Sequence, residues 1–137
     1  MKQAVHGAIL PPGWQRPPGY SHAIVAEGRM LFIAGQIGVL PDGTFASDDF
    51  AGQFSQILRN TRTLLEEAGA GPEHLVRMTW YVTSKQEYLD SLPQVGAAWR
   101  EIIGRHYPAM AVVEVSALVE DKARIEIEST AVLPATA

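Results

Sequence analysis

Ionisable groups that alternate along a β-strand can hold or move a proton beside a bound molecule, and the last two strand-like segments of this chain carry such groups. Taken as strands, Ala109 to Leu118 and Ala123 to Val132 separate by parity into two sets. Ala111, Val113, Val115, Ile125 and Ile127 suit burial under helices. Met110, Val112, Glu114, Ser116, Arg124, Glu126 and Glu128 form the opposite set. That set is too mixed for a core and too apolar at one end for a simple wet surface. Two readings stand. One is a solvated sheet face on which Glu126 pairs with Arg124 or Arg77. The other is a subunit interface with a small pocket, since interface cores lose charge while their rims keep it. Periodicity alone does not choose between them.

Other chemistries find little support. The chain has no cysteine, which excludes disulfides, thiolate nucleophiles and thiolate metal sites. His6, His22, His74 and His106 are scattered, and none has the i, i+4 spacing with a carboxylate that a zinc helix uses. No metal is therefore expected. Nothing marks a nucleophile elbow. Ala34-Gly35-Gln36-Ile37-Gly38 has too few glycines for a phosphate loop and precedes no helix. Each histidine reads as structural or superficial, with His22 the one to watch because it follows Tyr20 at the mouth of a strand. A net charge of -4 with no basic run argues against nucleic acid. No run of ~18 apolar residues exists to span a membrane. The first residues lack the apolar stretch of a leader, so the expected compartment is the cytoplasm.

The elements that must position these groups follow from composition and period. With 137 residues, 47% hydrophobic and 19% charged, the chain suits one globular domain. Residues 1–19 form a proline-rich arm: Pro11, Pro12, Pro17 and Pro18 exclude regular helix or central strand from its second half, yet Trp14 argues that it lies ordered over the body. Residues 20–137 form the domain. Ser21 to Ala26 and Met30 to Ile37 read as strands joined at Glu27-Gly28-Arg29, and Phe45 as the start of a short third. Asp48 or Asp49 caps a helix whose inner face is Phe50, Phe54, Ile57, Thr61, Leu64 and Ala68, with Gln53, Gln56, Arg59, Arg62 and Glu66 largely on the other side and Gly69 ending it. Leu75 to Thr83 alternates, with Val76, Met78, Trp80 and Val82 on one face. A second helix covers Leu92 to His106, Ser91 capping it and Pro93 in its first turn. The order is β-β-(β)-α-β-α-β-β, with helix-linked strands parallel and the terminal pairs as antiparallel edges. Two helices cover one face of such a sheet and leave the other to solvent or to another subunit.

Several of these stretches together resemble a known family. Gly19-Tyr20, Phe32-Ile33-Ala34-Gly35-Gln36-Ile37, the helix with Gln53 and Asn60 that ends Glu67-Ala68-Gly69-Ala70, Tyr107-Pro108-Ala109, Val113-Glu114-Val115 and Ile125-Glu126-Ile127-Glu128 occur in the order of the YjgF/RidA family, the reactive enamine/imine deaminases, also described as endoribonuclease L-PSP-like. The resemblance runs from about Tyr20 to Val132. It implies an α+β, chorismate-mutase-like fold: a six-stranded mixed sheet with two helices on one face. It further implies a homotrimer with sites at subunit interfaces, a small-molecule metabolite as ligand and no cofactor.

The chemistry implied is hydrolysis, in which water adds to an imine carbon and ammonia leaves. On this resemblance Glu126 is the water-activating carboxylate, and Tyr20 and the Gly35 backbone belong to the substrate site. The family's carboxylate-holding arginine is replaced by Met110, which has no planar fork to offer. Val112 stands at a position often cysteine in the family, and Gly96 near an asparagine of some members. Arg105 and Arg16, the latter beside Trp14, are the cations near enough in sequence to supply the missing anchor. Three functions follow: a deaminase of a non-standard enamine or imine; a non-catalytic trimer holding a small apolar molecule in interface clefts, for which Met110 and Val112 are suited; or a structural, chaperone-like trimer with vestigial sites, for which only the lost arginine speaks.

Overall fold

Asp49 opens the first long helix by accepting the backbone N–H of Gly52 on Oδ1 at 2.8 Å, a side-chain cap of the expected kind. In the computed structural model, which describes residues 6–135, the chain runs β1 (Gly7–Ile9), β2 (Ala23–Val25), β3 (Arg29–Gln36), α1 (Phe50–Glu67), a 3₁₀ turn (Pro72–His74), β4 (Leu75–Val82), α2 (Lys85–Asp90), α3 (Leu92–Ile102), β5 (Ala109–Glu114) and β6 (Ile125–Leu133). Gly69 follows α1 with φ +78°, the left-handed turn anticipated for it. Pro93 sits in the first turn of α3, whereas Ser91 caps through its position only, its hydroxyl donating to the carbonyl of Glu87.

The main sheet has four strands in the order β3-β6-β4-β5, not six. β1 and β2 form a separate two-stranded antiparallel ribbon, so the arm contributes a strand that its prolines had masked. Phe45 makes only an isolated bridge with Val39. β6 inserts between β3 and β4, antiparallel to both, while β4 and β5 run parallel across the α2–α3 connection. The terminal strands β5 and β6 therefore do not pair with one another, contrary to the antiparallel edge expected. Gly28 makes the turn into β3 possible. It holds φ +145°, and a Cβ there would stand 1.9 Å from the Leu133 carbonyl oxygen.

α1 and α3 pack on one face of the sheet. Phe54, Ile57, Leu58 and Leu65 of α1 meet Met78, Trp80 and Val82 of β4 and Ile125 and Ile127 of β6, all buried. Each such side chain contributes about 1.5–3 kcal/mol of apolar transfer. The second helix ends at Ile102, short of His106, because Gly104 turns the chain at φ +101°. Gln53, assigned by period to the outer side of α1, is completely buried. Its Nε2 donates to the carbonyls of Lys122 (2.9 Å) and Ser47 (3.2 Å), and its Oε1 accepts the Arg124 N–H (2.8 Å). One amide thus ties the loop before α1 to the start of β6. A binary apolar pattern does not register a polar side chain that satisfies itself on backbone.

Two outcomes are expected. Gln53→Leu removes the partners of three backbone groups and should lower stability by about 3 kcal/mol in urea unfolding, given about 1–3 kcal/mol per buried group left unsatisfied. His106 is the second case. Its Nε2–H donates to the Leu75 carbonyl at 2.6 Å, and burial holds the imidazole below its ordinary 6.5, with His6, Glu73 and His74 nearby. Below pH about 6.5 the unfolded chain takes up a proton that folded His106 refuses, so stability falls with acid. Unfolding free energies at pH 7.5 and 5.5 should show the advantage of wild type over His106→Asn shrinking at the lower pH.

Candidate functional site

The parallel register of β5 on β4 sets Met110 beside Met78 and Val112 beside Trp80. Paired residues in a sheet point to the same face, so Met110 and Val112 lie on the helix side, packed against the core. Ala111 and Val113 take the other face and are exposed. Glu126 pairs with Tyr81 and Glu128 with Thr79, which puts both carboxylates on the uncovered face. Met110 and Glu126 therefore do not share a face, and the parity assigned to β5 is reversed. The reason is plain in its composition: Ala-Met-Ala-Val-Val is apolar on both sides and has no period of two to read.

Around Met110 the chain forms a cavity of about 670 Å³ between β5, α3 and the end of the arm. Its walls are mostly aromatic and aliphatic, with Tyr20, Trp80, Tyr88, Trp99, Met110 and Val112 prominent among them. The rings are fixed against one another. Trp80 packs on Phe54 at 4.9 Å and Trp99 at 6.0 Å, and Trp99 stacks on Tyr107 at 6.5 Å with 14° between planes. Trp99 Nε1–H donates to the His106 carbonyl, while the buried indole N–H of Trp80 has no acceptor among the described residues. Burial holds the Tyr88 phenol above its usual range. Arg100, which the sequence reading did not single out, brings the sole cation of this lining.

Arg16 and Arg105 do not reach that cavity. They line a neighbouring hollow of about 510 Å³ with His6, His22 and His106, and Tyr20 and Tyr107 belong to both walls. Trp14 stays 57% exposed and meets His22 edge-on at 5.1 Å. Ser21 hydrogen-bonds back to the residues before β5, fixing the arm's end beside Tyr107.

The uncovered face holds the second group of predicted residues. A register shift between Ile33 and Gln36 leaves Ala34 and Gly35 without partners on β6. Gly35 there lies against Glu126: a Cβ at residue 35 would stand 2.2 Å from Glu126 Oε2. The bare glycine is thus a condition for the carboxylate's placement. Arg124, a partner considered for Glu126, instead bonds Glu87 at 2.7 Å, and among the described residues Arg77 forms no salt bridge with Glu126 either. Tyr81 donates to Glu128 Oε1 at 2.6 Å, and this bond holds the phenol above its ordinary range. Phe32 (72% exposed), Met30 (60%) and Val113 (42%) stand on or beside the same face.

The single chain therefore sets the predicted residues in two groups on opposite faces of one sheet: Tyr20, Met110 and Val112 in an apolar cavity, and Gly35 with Glu126 on the open side. Among the described residues no group of three or more His, Asp or Glu is placed to hold a metal. No described helix is long and apolar enough to cross a membrane.

Known proteins with this sequence pattern and fold give the chain its kinship. The family model described as Endoribonuclease L-PSP matches residues 15–133. A RutC family protein of Pyrococcus abyssi is 34% identical over 113 residues, covering 82% of this chain and 84% of its own. A protein of Salmonella typhimurium named 2-iminobutanoate/2-iminopropanoate deaminase is 32% identical over 108 residues, covering 77% of this chain and 80% of its own. The solved structure of a conserved Rid family protein from Yersinia pestis superposes with a TM-score of 0.82 at 31% identity, covering 94% of this chain and 99% of its own. Motifs, matched span and fold agree, and the chain belongs to the YjgF/RidA family.

Proposed function

We propose that the protein is a cofactor-free hydrolytic deaminase of a reactive enamine or imine, working as a homotrimer whose copies complete one another's sites. The observation that carries this reading is the carboxylate of Glu126, held against Gly35 on an uncovered sheet face and free of any salt bridge among the described residues. The named deaminase among the relatives supports the same chemistry. In it, an enamine first tautomerises to the imine. Glu126 takes a proton from water as the oxygen adds to the imine carbon, giving a carbinolamine. Glu126 returns that proton to nitrogen, then carries the carbinolamine's hydroxyl proton to the same nitrogen as the C–N bond breaks, and ammonia and a ketone leave. General acid–base assistance of this kind contributes about 10²–10⁴-fold.

The same geometry supports assembly. Groups on opposite faces of a sheet cannot meet within one chain, and in the proposed trimer a neighbour brings its apolar cavity to the open face. Phe32 and Met30 give that face the exposed apolar area an interface needs. The compartment proposed is the cytoplasm.

The alternative, a trimeric binding protein without turnover, is favoured by the apolar walls around Met110 and Val112. Ammonia release from freshly generated imines separates the two. Glu126→Gln should slow turnover about 100-fold with the fold retained, and a variant as fast as wild type would leave only the binding reading. Phe32→Glu should convert the trimer to monomer in sedimentation velocity and abolish turnover with it.

A further inference from the structure

We infer that Arg100 of α3 is the carboxylate anchor of the cavity lined by Met110, and that the cavity takes 2-imino acids with a bulky apolar side chain, aromatic ones above all. The inference rests on the deaminase reading for its imine chemistry, but the binding claim stands on the cavity itself.

Three observations meet there. First, Gly96 and Arg100 are one helical turn apart, so they share a face of α3, and both line the cavity. The guanidinium lies over Gly96: an ideal Cβ at that residue would be 3.5 Å from one terminal nitrogen and 4.0 Å from the other. A larger side chain at 96 would occupy the space in which the guanidinium rests.

Second, Arg100 has no acidic partner among the described residues, whereas Arg59 and Arg62 on neighbouring α1 bind Glu101 (3.8 Å) and Glu66 (3.0 Å). No carboxylate among the described residues lines the cavity, so its field favours an anion. The planar fork of arginine matches a carboxylate in two parallel hydrogen bonds.

Third, the remaining walls are aromatic or aliphatic and enclose about 670 Å³, a volume in the range of sites for molecules much larger than a three-carbon acid. Met110 contributes a pliable apolar surface where the family's arginine would have carried charge. The cation has in effect moved from strand to helix, and the strand position it left enlarges the apolar part. One charged end and one large apolar body describe a bulky imino acid and exclude both a dianion and a small polar imine.

Calorimetric titration of the full-length protein tests this with stable product analogues. Phenylpyruvate is the probe, benzyl methyl ketone its carboxylate-free counterpart, and pyruvate the small acid. Wild type should bind phenylpyruvate about tenfold or more tightly than either, the lower end of what a charge-assisted pair provides because Arg100 is exposed to solvent. Arg100→Gln, with an unchanged melting temperature, should lose that preference while keeping its affinity for the ketone, and Arg100→Lys should recover part of it. Equal binding of phenylpyruvate by wild type and Arg100→Gln overturns the inference, as does a lack of preference over the ketone or over pyruvate, or no binding of phenylpyruvate at all. Failure of the catalytic reading looks different: Glu126→Gln would then turn over imines at the wild-type rate while the Arg100-dependent preference persisted.

Discussion

The register of one edge strand governs where chemistry can occur in this protein. β5 has apolar residues on both sides and no intrinsic preference for either. Its parallel pairing with β4 decides the matter by seating Met110 next to Met78 and Val112 next to Trp80. A slip of one residue would turn Ala111 and Val113 inward and carry Met110 to the open face. The aromatic cavity exists because the slip does not happen: α3 and the arm close over side chains that the register delivers to them. The arm's end is held in turn by Ser21, whose backbone N–H and hydroxyl donate to the carbonyls of Pro108 and Tyr107 just before β5.

The sheet then acts as a partition. Glu126 and Gly35 stand on one side, Tyr20 and the cavity on the other. The two groups of residues are therefore separated by the thickness of the sheet, and the proposed chemistry is the one that would need a second copy to bring them together. Glu126 also stands beside an irregularity, where Ala34 and Gly35 have no partners on β6 and the Ala34 carbonyl accepts from the Gln36 side chain at 3.1 Å.

Much of the frame was legible in the residues. The caps and period of α1, the alternation of β4 and the buried face of β6 were strong signals because each element has one wet side and one dry side. The failures share a cause as well. β5 had no wet side to mark, Gln53 was polar yet buried, and β1 was hidden in a segment judged by its prolines. The six-strand expectation broke into a four-stranded sheet and a ribbon for the same reason: pairing partners are long-range facts, and β6 reaches its place between β3 and β4 only after the rest of the sheet has been laid down in sequence. Of the candidate site, motif resemblance singled out Glu126 and Gly35, which the fold does bring into contact, and Tyr20, which it sets on the other side of the sheet, while nearness in sequence suggested Arg16 and Arg105, which line a different hollow from Met110. Arg100 gave no signal in the sequence because its place in the cavity wall depends on a bare Gly96 one turn away and on which way α3 faces.

The interlocked rings around the cavity have a consequence for ligand capture. Phe54, Trp80, Trp99 and Tyr107 each have only two side-chain torsions, and mutual packing already restrains them. A molecule entering this space meets walls that have little motional freedom left to surrender, so the entropy lost on binding is mainly its own. Flexible Met110 is the exception, able to settle against ligands of differing outline. Selection at such a cavity would accordingly be graded, tolerant of shape at the Met110 wall and strict at the others.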